Sequence, residues 1–215
     1  MEIEEIENAL KGPLPGKAGQ YIMAPGYRPD YDLADVMKFN PRIGGVLLLL
    51  DLQDDEIKII FTLRKQYLGT HSGQMSFPGG KREDSDTDIT HTALRETKEE
   101  VGIAPEHIRV IGHLSELYIP PSNFLVYPTV GVLEGDAKLI KQEEEVEEIV
   151  RIPLSFFLDP ASRSQTQINA GQDHKVDVPA YLYEGYVIWG ATAIMMSEFI
   201  YLLTNGTSEE SKIEK

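Results

Sequence analysis

The residues with most chemistry in them are Arg95, Glu96, Glu99 and Glu100, in the run Arg95-Glu96-Thr97-Lys98-Glu99-Glu100-Val101-Gly102-Ile103. On a helix, Glu96, Glu99 and Glu100 stand at i, i+3 and i+4, which puts three carboxylates over one turn. Like charges so close repel unless something neutralises them. A hard divalent cation does so, because Mg²⁺ and Mn²⁺ prefer carboxylate oxygen and water and keep positions open for substrate phosphates. Such an ion activates water and stabilises the charge that develops in an in-line displacement at phosphorus. Arg95 precedes Glu99 by four residues and is expected to pair with it and orient it.

The element that must position these groups is legible around them. No Gly or Pro interrupts Asp88 to Val101, Gly102 sits where a C-cap glycine would, and Asp86, Thr87 and Asp88 offer N-cap oxygens, so a helix is predicted. Ile89, Ala93, Thr97 and Val101 recur at i, i+4 and form its expected buried stripe, with the glutamates on another face. Ahead of the helix, Phe77 anchors a strand end, and Gly79-Gly80 reads as a tight turn that brings backbone close to a ligand, with the Gly80 carbonyl a candidate metal ligand. A solvated glutamate-rich helix after an ordinary Gly-Gly turn has similar ingredients. What favours the metal site is the whole set, glycines, Arg-Glu and Glu-Glu-x-Gly, in one order.

In that order the residues resemble the box of the Nudix hydrolases: Gly, five residues, Glu, seven residues, then Arg-Glu-U-x-Glu-Glu-x-Gly-U, with U aliphatic. Arg95, Glu96, Glu99, Glu100, Gly102 and Ile103 match, and Thr97 stands in an aliphatic place. Counting five residues on from Gly80 reaches Asp86 rather than Glu, and eight residues separate Asp86 from Arg95, so the loop is one residue longer. Thr62-Leu63-Arg64 with His71-Ser72-Gly73-Gln74-Met75-Ser76-Phe77-Pro78-Gly79-Gly80 resembles the signature of the coenzyme A pyrophosphatase branch, in which an Arg usually occupies the place of Gly69. The resemblance implies an α/β fold, a Nudix-like α/β/α sandwich with a mixed β-sheet. It also implies Mg²⁺ or Mn²⁺ on Glu96, Glu99, Glu100 and Gly80, and substrate contacts from Arg64, His71 and Gly79. An Arg can grip phosphate in a fork and a His can donate to one; an exposed strand-end Arg and a surface His are the plainer alternatives.

Composition sets the outer limits. The 215 residues are enough for one domain with a good core, and 41% hydrophobic content is globular. A formal charge of −15 argues against non-specific nucleic-acid binding, which relies on Lys and Arg, and leaves a small phosphorylated substrate as the expected partner. The chain has no Cys, so neither a disulfide framework nor a thiolate metal site is available. The acidic start MEIEEIENALKG does not resemble a leader, and the apolar run Val46–Leu50 is too short for a bilayer, so a cytoplasmic protein off the membrane is expected.

Along the chain, Glu2–Leu10 reads as an amphipathic helix and the following Pro/Gly-rich stretch as an irregular arm, with one or two helical turns at Leu33–Phe39. Residues 1–42 are thus an arm, 43–203 the hydrolase domain and 204–215 a frayed tail. Strands are expected at Ile43–Leu52 and Ile57–Leu63 as a hairpin, and at Gln74–Phe77, Ile108–Leu117, Phe124–Leu133 and Val146–Ile152. A helical turn follows at Leu154–Leu158. Gln165–Ile168 pairs with Ala180–Tyr183, and Ala191–Leu203 is an apolar helix. The stripe Gly185–Phe199 reads as core and as the surface of a homodimer.

Two further places carry candidates. The turn Leu117–Phe124 puts Ser122 and Asn123 beside aromatic side chains, suited to a base or pantetheine-like arm and equally to a rigid turn packed on the sheet. The acidic run Glu143–Glu148 suits solvent, yet one of Glu143, Glu144 or Glu145 can act as extra ligand or general base, and Glu145 is taken as the catalytic candidate. The expected activity is metal-dependent hydrolysis of a phosphoanhydride in a nucleoside diphosphate derivative, coenzyme A first and ADP-ribose or a nucleotide sugar second. Glu96 or Glu145 takes the proton of water. A non-catalytic nucleotide-sensing module is the rival, and it has no need of the complete carboxylate set.

Overall fold

The apolar run near residue 43 folds as β1 (Arg42–Asp51), and all of Leu47–Leu50 is fully buried. A strand buried on both faces needs partners along both edges, and β1 has three. Its far end pairs antiparallel with β2 (Lys58–Arg64), its near end pairs antiparallel with β4 (Gly79–Lys81), and its other edge runs parallel to β7 (Phe124–Leu133) for nine residues. β3 (Met75–Ser76) and β8 (Val146–Pro153) add to β2, while β5 (Ile108–His113) and β6 (Leu117–Ile119) add to β7. The result is an eight-stranded mixed sheet in the order β3-β2-β1-β7-β5, the α/β class expected.

A computed structural model describes residues 1–52, 56–66, 73–169 and 175–205. They fall into two units: Pro29–Leu154, and Met1–Arg28 with the residues from Ser155 onward. The first unit holds the mixed sheet, the short helix α3 (Leu33–Lys38) and α4 (Ile89–Val101). α4 lies on β1 with Ala93, Val101 and the following Ile103 in a core that includes Leu47, Leu49, Ile60, Ile108 and Leu133. Its approach is close: a Cβ on Gly45 would come within 2.7 Å of the Ile89 carbonyl oxygen, so only glycine fits beneath the helix.

The second unit contains α1 (Ile3–Leu10), α2 (Lys17–Gln20) and α6 (Gly190–Asn205), with an antiparallel sheet of β9 (Arg163–Asn169), β10 (Lys175–Tyr183) and β11 (Tyr186–Trp189). α5 (Leu154–Leu158) joins the units in sequence. Glu198 of α6 is fully buried and accepts from the Gly16 N–H at 3.2 Å and the Gln20 side-chain amide at 2.8 Å. Among the described residues, no helix is long and apolar enough to cross a membrane.

Several expectations need correcting. Gly79-Gly80 is no turn but strand, paired with Gly45 and Val46, and the bare Gly80 leaves the space that Glu96 of α4 occupies. Ile108–Leu117 is two strands, since the pairing to β7 slips at Val110/Gly112 and leaves the chain after His113. β11 was not expected; Glu184 (φ 48°) and Gly185 (φ 93°) make a two-residue hairpin turn that returns the chain along β10. The 190–205 helix is buried from Thr192 to Ile200, so the Met-rich stripe there is core. Thr204 and Asn205 close α6, and the tail expected after them lies outside the described residues.

Gly45→Ala is therefore expected to lower stability by about 1–3 kcal/mol, the usual cost of forcing atoms into a packed contact. Gly26→Ala, where nothing stands within 4 Å, is the control and should leave the urea midpoint unchanged.

Candidate active site

α4 starts at Asp88, whose side chain accepts the His91 N–H at 2.8 Å, and stops at Gly102, which takes the left-handed conformation (φ 76°). Of the three N-cap candidates Asp88 is the cap. The predicted stripe is present in Ala93, Thr97 and Val101, while Ile89 is half-buried and Thr92 buried. Thr97 is tolerated in an aliphatic place because its hydroxyl donates to the Ala93 carbonyl at 2.7 Å.

The three glutamates do not share one exposed face. Glu99 is open to water, its side chain 57% exposed, whereas Glu100 is turned inward at 4%. Glu96 lies between, over Gly80: a Cβ there would sit 2.5 Å from the Glu96 carboxyl carbon. The bare Gly80 leaves room for Glu96, and its carbonyl oxygen would lie 2.8 Å from a Cβ on Gly44. Glu100 accepts from the Gly79 N–H at 3.3 Å and faces the Arg64 guanidinium at 3.6 Å. Arg64, at the end of β2, is thereby brought to the carboxylates, and its Nε is buried with no hydrogen-bond partner.

Arg95 joins these groups. Its Nη1 reaches Glu96 at 2.9 Å and Glu99 at 3.2 Å, and its Nη2 donates to the Lys81 carbonyl at 3.0 Å. The pairing with Glu99 was expected from spacing; the grip of Asp86 on the other edge of the guanidinium was not. Asp86 is buried and takes Nε at 3.0 Å and Nη2 at 3.1 Å. The available signal was the acid found on counting from Gly80.

Glu145 comes near by way of backbone bonds. Gln142 N–H donates to the Glu100 carbonyl at 3.0 Å, the Gln142 side chain accepts the Glu145 N–H at 2.6 Å, and the Glu145 carbonyl accepts the Lys65 N–H at 2.9 Å. This segment is thus tied to the end of α4 and to the residue after β2. The Glu145 charge disfavours ionisation of both Glu96 and Glu100. Glu143 turns to Lys141 instead, at 3.3 Å.

Ser122 and Asn123 sit elsewhere, beside Arg42 at the start of β1, three residues or about 10 Å of strand from Gly45. Asn123 is left-handed (φ 49°), with its amide taken up by the Tyr118 hydroxyl and the Phe39 carbonyl, the pattern of a rigid turn. The Ser122 hydroxyl oxygen is buried with no hydrogen-bond partner. His71 and Gly69 lie outside the described residues.

Charge decides what the cluster can hold. Burial raises Glu96 above the usual carboxylate range against the opposing pull of Arg95, and Glu99 and Glu145 add to the rise. For Glu100, burial pushes the carboxyl up to about 7, opposed by Arg64 and the Gly79 N–H and reinforced by Glu96 and Glu145. Among the described residues no three His, Asp or Glu side chains already converge as ligands. Even so, an all-oxygen donor set whose charge is incompletely neutralised fits a hard divalent cation, which would draw these carboxylates together.

The same charges govern stability. In the unfolded chain Glu100 ionises near 4.5, so between about 4.5 and 7 the folded protein holds a proton the unfolded one has released, and stability falls as pH rises through that window. Metal-free protein is expected to melt lower at pH 8 than at pH 5. A shift of this size contributes up to about 3 kcal/mol. Glu100→Gln should flatten the slope, and Mn²⁺ should raise the melting temperature more at pH 8 than at pH 5. A Gln variant that keeps the full slope removes Glu100 as its source.

Comparison with known proteins agrees with the geometry. A family model described as the NUDIX domain matches residues 41–169. The human mitochondrial coenzyme A diphosphatase NUDT8 is 36% identical over 173 residues, which cover 80% of this chain and 73% of that protein. The mouse peroxisomal coenzyme A diphosphatase NUDT7 is 40% identical over 130 residues, covering 60% and 55%. Among solved structures, the MutT protein from Methanosarcina mazei Go1 superposes with a TM-score of 0.49 at 17% identity, over 78% of this chain and 95% of that one. Since the family model spans more than half of the residues, and α4 carries the carboxylates where the Nudix pattern has them, the chain belongs to the Nudix hydrolase family.

Proposed function

We propose that this chain hydrolyses the diphosphate of coenzyme A or a derivative, giving 3′,5′-ADP and 4′-phosphopantetheine. The observation that carries this reading is the 36% and 40% identity to two coenzyme A diphosphatases. The site supports it through Arg64, a partly exposed guanidinium 3.6 Å from Glu100, which puts a group able to bind phosphate beside the carboxylates.

In this reading Glu96, Glu99 and Glu100 hold Mg²⁺ or Mn²⁺, and Gly80 leaves the space in which Glu96 stands. A divalent cation bound there supplies neutralisation of charge on the diphosphate. Glu145, exposed and next to Glu96 and Glu100 in charge, takes the proton of the attacking water; Glu96 is the second candidate for that role. Arg95 holds Glu96 and Glu99 in place. Arg64, with His71, binds the diphosphate, the Gly79 N–H fixes Glu100, and the turn at Ser122 and Asn123 meets a more distant part of the substrate. A cytoplasmic location and a homodimer belong to the same reading, although both relatives are named for organelles.

The test is incubation with Mg²⁺ or Mn²⁺ and a panel of coenzyme A, dephospho-coenzyme A, ADP-ribose, dinucleoside polyphosphates and NADH, with products identified by mass. Coenzyme A should be cleaved to the two products named. Glu96→Gln and Glu99→Gln should each lower turnover by a factor on the order of 10² without loss of fold. If coenzyme A is inert while ADP-ribose turns over well, the substrate is wrong and the hydrolase class stands.

A further inference from the structure

We infer that Gln142 is a positioning residue for the reaction: it ties Glu145 to the backbone of Glu100, so that one carboxylate of an exposed acidic run is kept near the cluster on α4. The inference rests on the reading of Glu145 as the group that takes the proton of water.

α4 ends on carbonyl groups that no further helical turn can satisfy. Two of them are taken by the segment that follows β7, where Ile140 N–H donates to the Val101 carbonyl at 2.9 Å and Gln142 N–H to the Glu100 carbonyl at 3.0 Å. The segment is held close, since a Cβ on Gly102 would come within 3.0 Å of the Ile140 Cβ and of its carbonyl oxygen. Glu100 therefore has its side chain in the carboxylate cluster and its carbonyl on Gln142. From there Gln142 carries the connection onward. Its side-chain oxygen accepts the Glu144 N–H at 2.8 Å and the Glu145 N–H at 2.6 Å, and its own carbonyl accepts at 2.9 Å the N–H of Val146, where β8 starts. The Lys65 N–H, donating to the Glu145 carbonyl at 2.9 Å, fixes the other side of that residue.

Both backbone groups of Glu145 are thus engaged while the residue itself stays exposed, and its charge bears on Glu96 and Glu100. A proton acceptor must stay within hydrogen-bond reach of the water it deprotonates, and an acid on a loose surface run spends most of its time elsewhere. The residue type fits the role, because an amide oxygen accepts two N–H groups without adding a charge to those of Glu143, Glu144 and Glu145. Lys141, one residue earlier, binds elsewhere: its Nζ reaches the Glu147 carbonyl at 2.9 Å and Glu143 at 3.3 Å.

The test compares Gln142→Met, which keeps the length and removes the acceptor, with Gln142→Glu, which keeps an acceptor oxygen, and with Lys141→Met as the control in the same segment. Activity is followed on the diphosphate that the parent cleaves. Gln142→Met should lower kcat about tenfold with KM changed less than about threefold, and should speed exchange of the Glu144 and Glu145 amide protons in the metal-free protein by about tenfold or more. Its Mn²⁺ affinity, measured by calorimetry without substrate, should stay within about twofold of the parent, because the backbone bond to Glu100 remains. Gln142→Glu should recover most of both losses, and Lys141→Met should leave kcat within about twofold. In a cycle with Glu145→Gln, the double variant should be slower than Glu145→Gln alone by less than about twofold, because one residue acts through the other. Full kcat in Gln142→Met, additive losses in the cycle, or a loss of Mn²⁺ affinity as large as that of kcat overturns the inference. A Glu145→Gln variant as fast as the parent is a different outcome: it refutes Glu145 as the proton acceptor, and the role of Gln142 falls with it.

Discussion

α4 can rest on β1 and β4 only because Gly45 and Gly80 carry no side chain, and this contact places Arg95, Glu96, Glu99 and Glu100. At Gly45 the helix backbone lies where a Cβ would be, and one turn later Glu96 occupies the equivalent space over Gly80. A helix held at ordinary side-chain separation, 8–10 Å between axes or a comparable stand-off from a sheet, would leave those carboxylates out in water. Close approach buries Glu96 and Glu100, and burial raises their affinities for protons. Structure and chemistry thus share one cause, two bare positions on adjacent strands.

Burial alone would make the cluster a liability, and the surrounding residues show how the cost is limited. Glu100 keeps one backbone N–H and one guanidinium nearby, and Glu96 keeps one edge of Arg95. None of these contacts is saturating: Arg64 stands at 3.6 Å, beyond good hydrogen-bond length, and retains an unsatisfied Nε. Asp86 is the opposite case. Arg95, a backbone N–H and a hydroxyl hold its carboxyl well below the usual carboxylate range, so its charge is fixed at any pH at which the protein works. One fully satisfied carboxylate anchors the site and two incompletely satisfied ones remain available to a ligand.

How much of this could be read from sequence follows from how local each feature is. The helix, its Asp88 cap, its Gly102 stop and the Arg95–Glu99 pair depend on spacing within a few residues, and spacing is what a sequence displays. The inward turn of Glu100 was hidden, because a glutamate adjacent to Val101 is buried only where Gly79 offers an N–H and Arg64 a charge, both from other strands. Gly79-Gly80 as strand was hidden likewise, since the glycines' preference for turns was overruled by pairing with Gly45 and Val46. Glu145 was reachable only as one of three acids; the Gln142 side chain accepts from both Glu144 and Glu145, and it is the Lys65 N–H, donating to the Glu145 carbonyl, that distinguishes the second. β11 had a local signal, the Glu-Gly pair between two tyrosines, masked by the apolar run into α6.

The overall charge gives the site its last constraint. A chain with a formal charge of −15 repels an anionic diphosphate at long range, and salt screens that repulsion beyond roughly 8–10 Å. Inside that distance the outcome depends on the few charges lining the site. The two guanidinium groups closest to the carboxylates, Arg64 and Arg95, are both partly committed to them, Arg95 on three sides. Protein cations therefore cannot both neutralise the glutamates and receive a diphosphate. A divalent cation would resolve the conflict, since such ions bind carboxylate and phosphate oxygens alike, and under the proposed function it would leave Arg64 able to turn from Glu100 to the substrate. Under the proposed function, cation and substrate affinities would then be coupled through Arg64, each favouring the other.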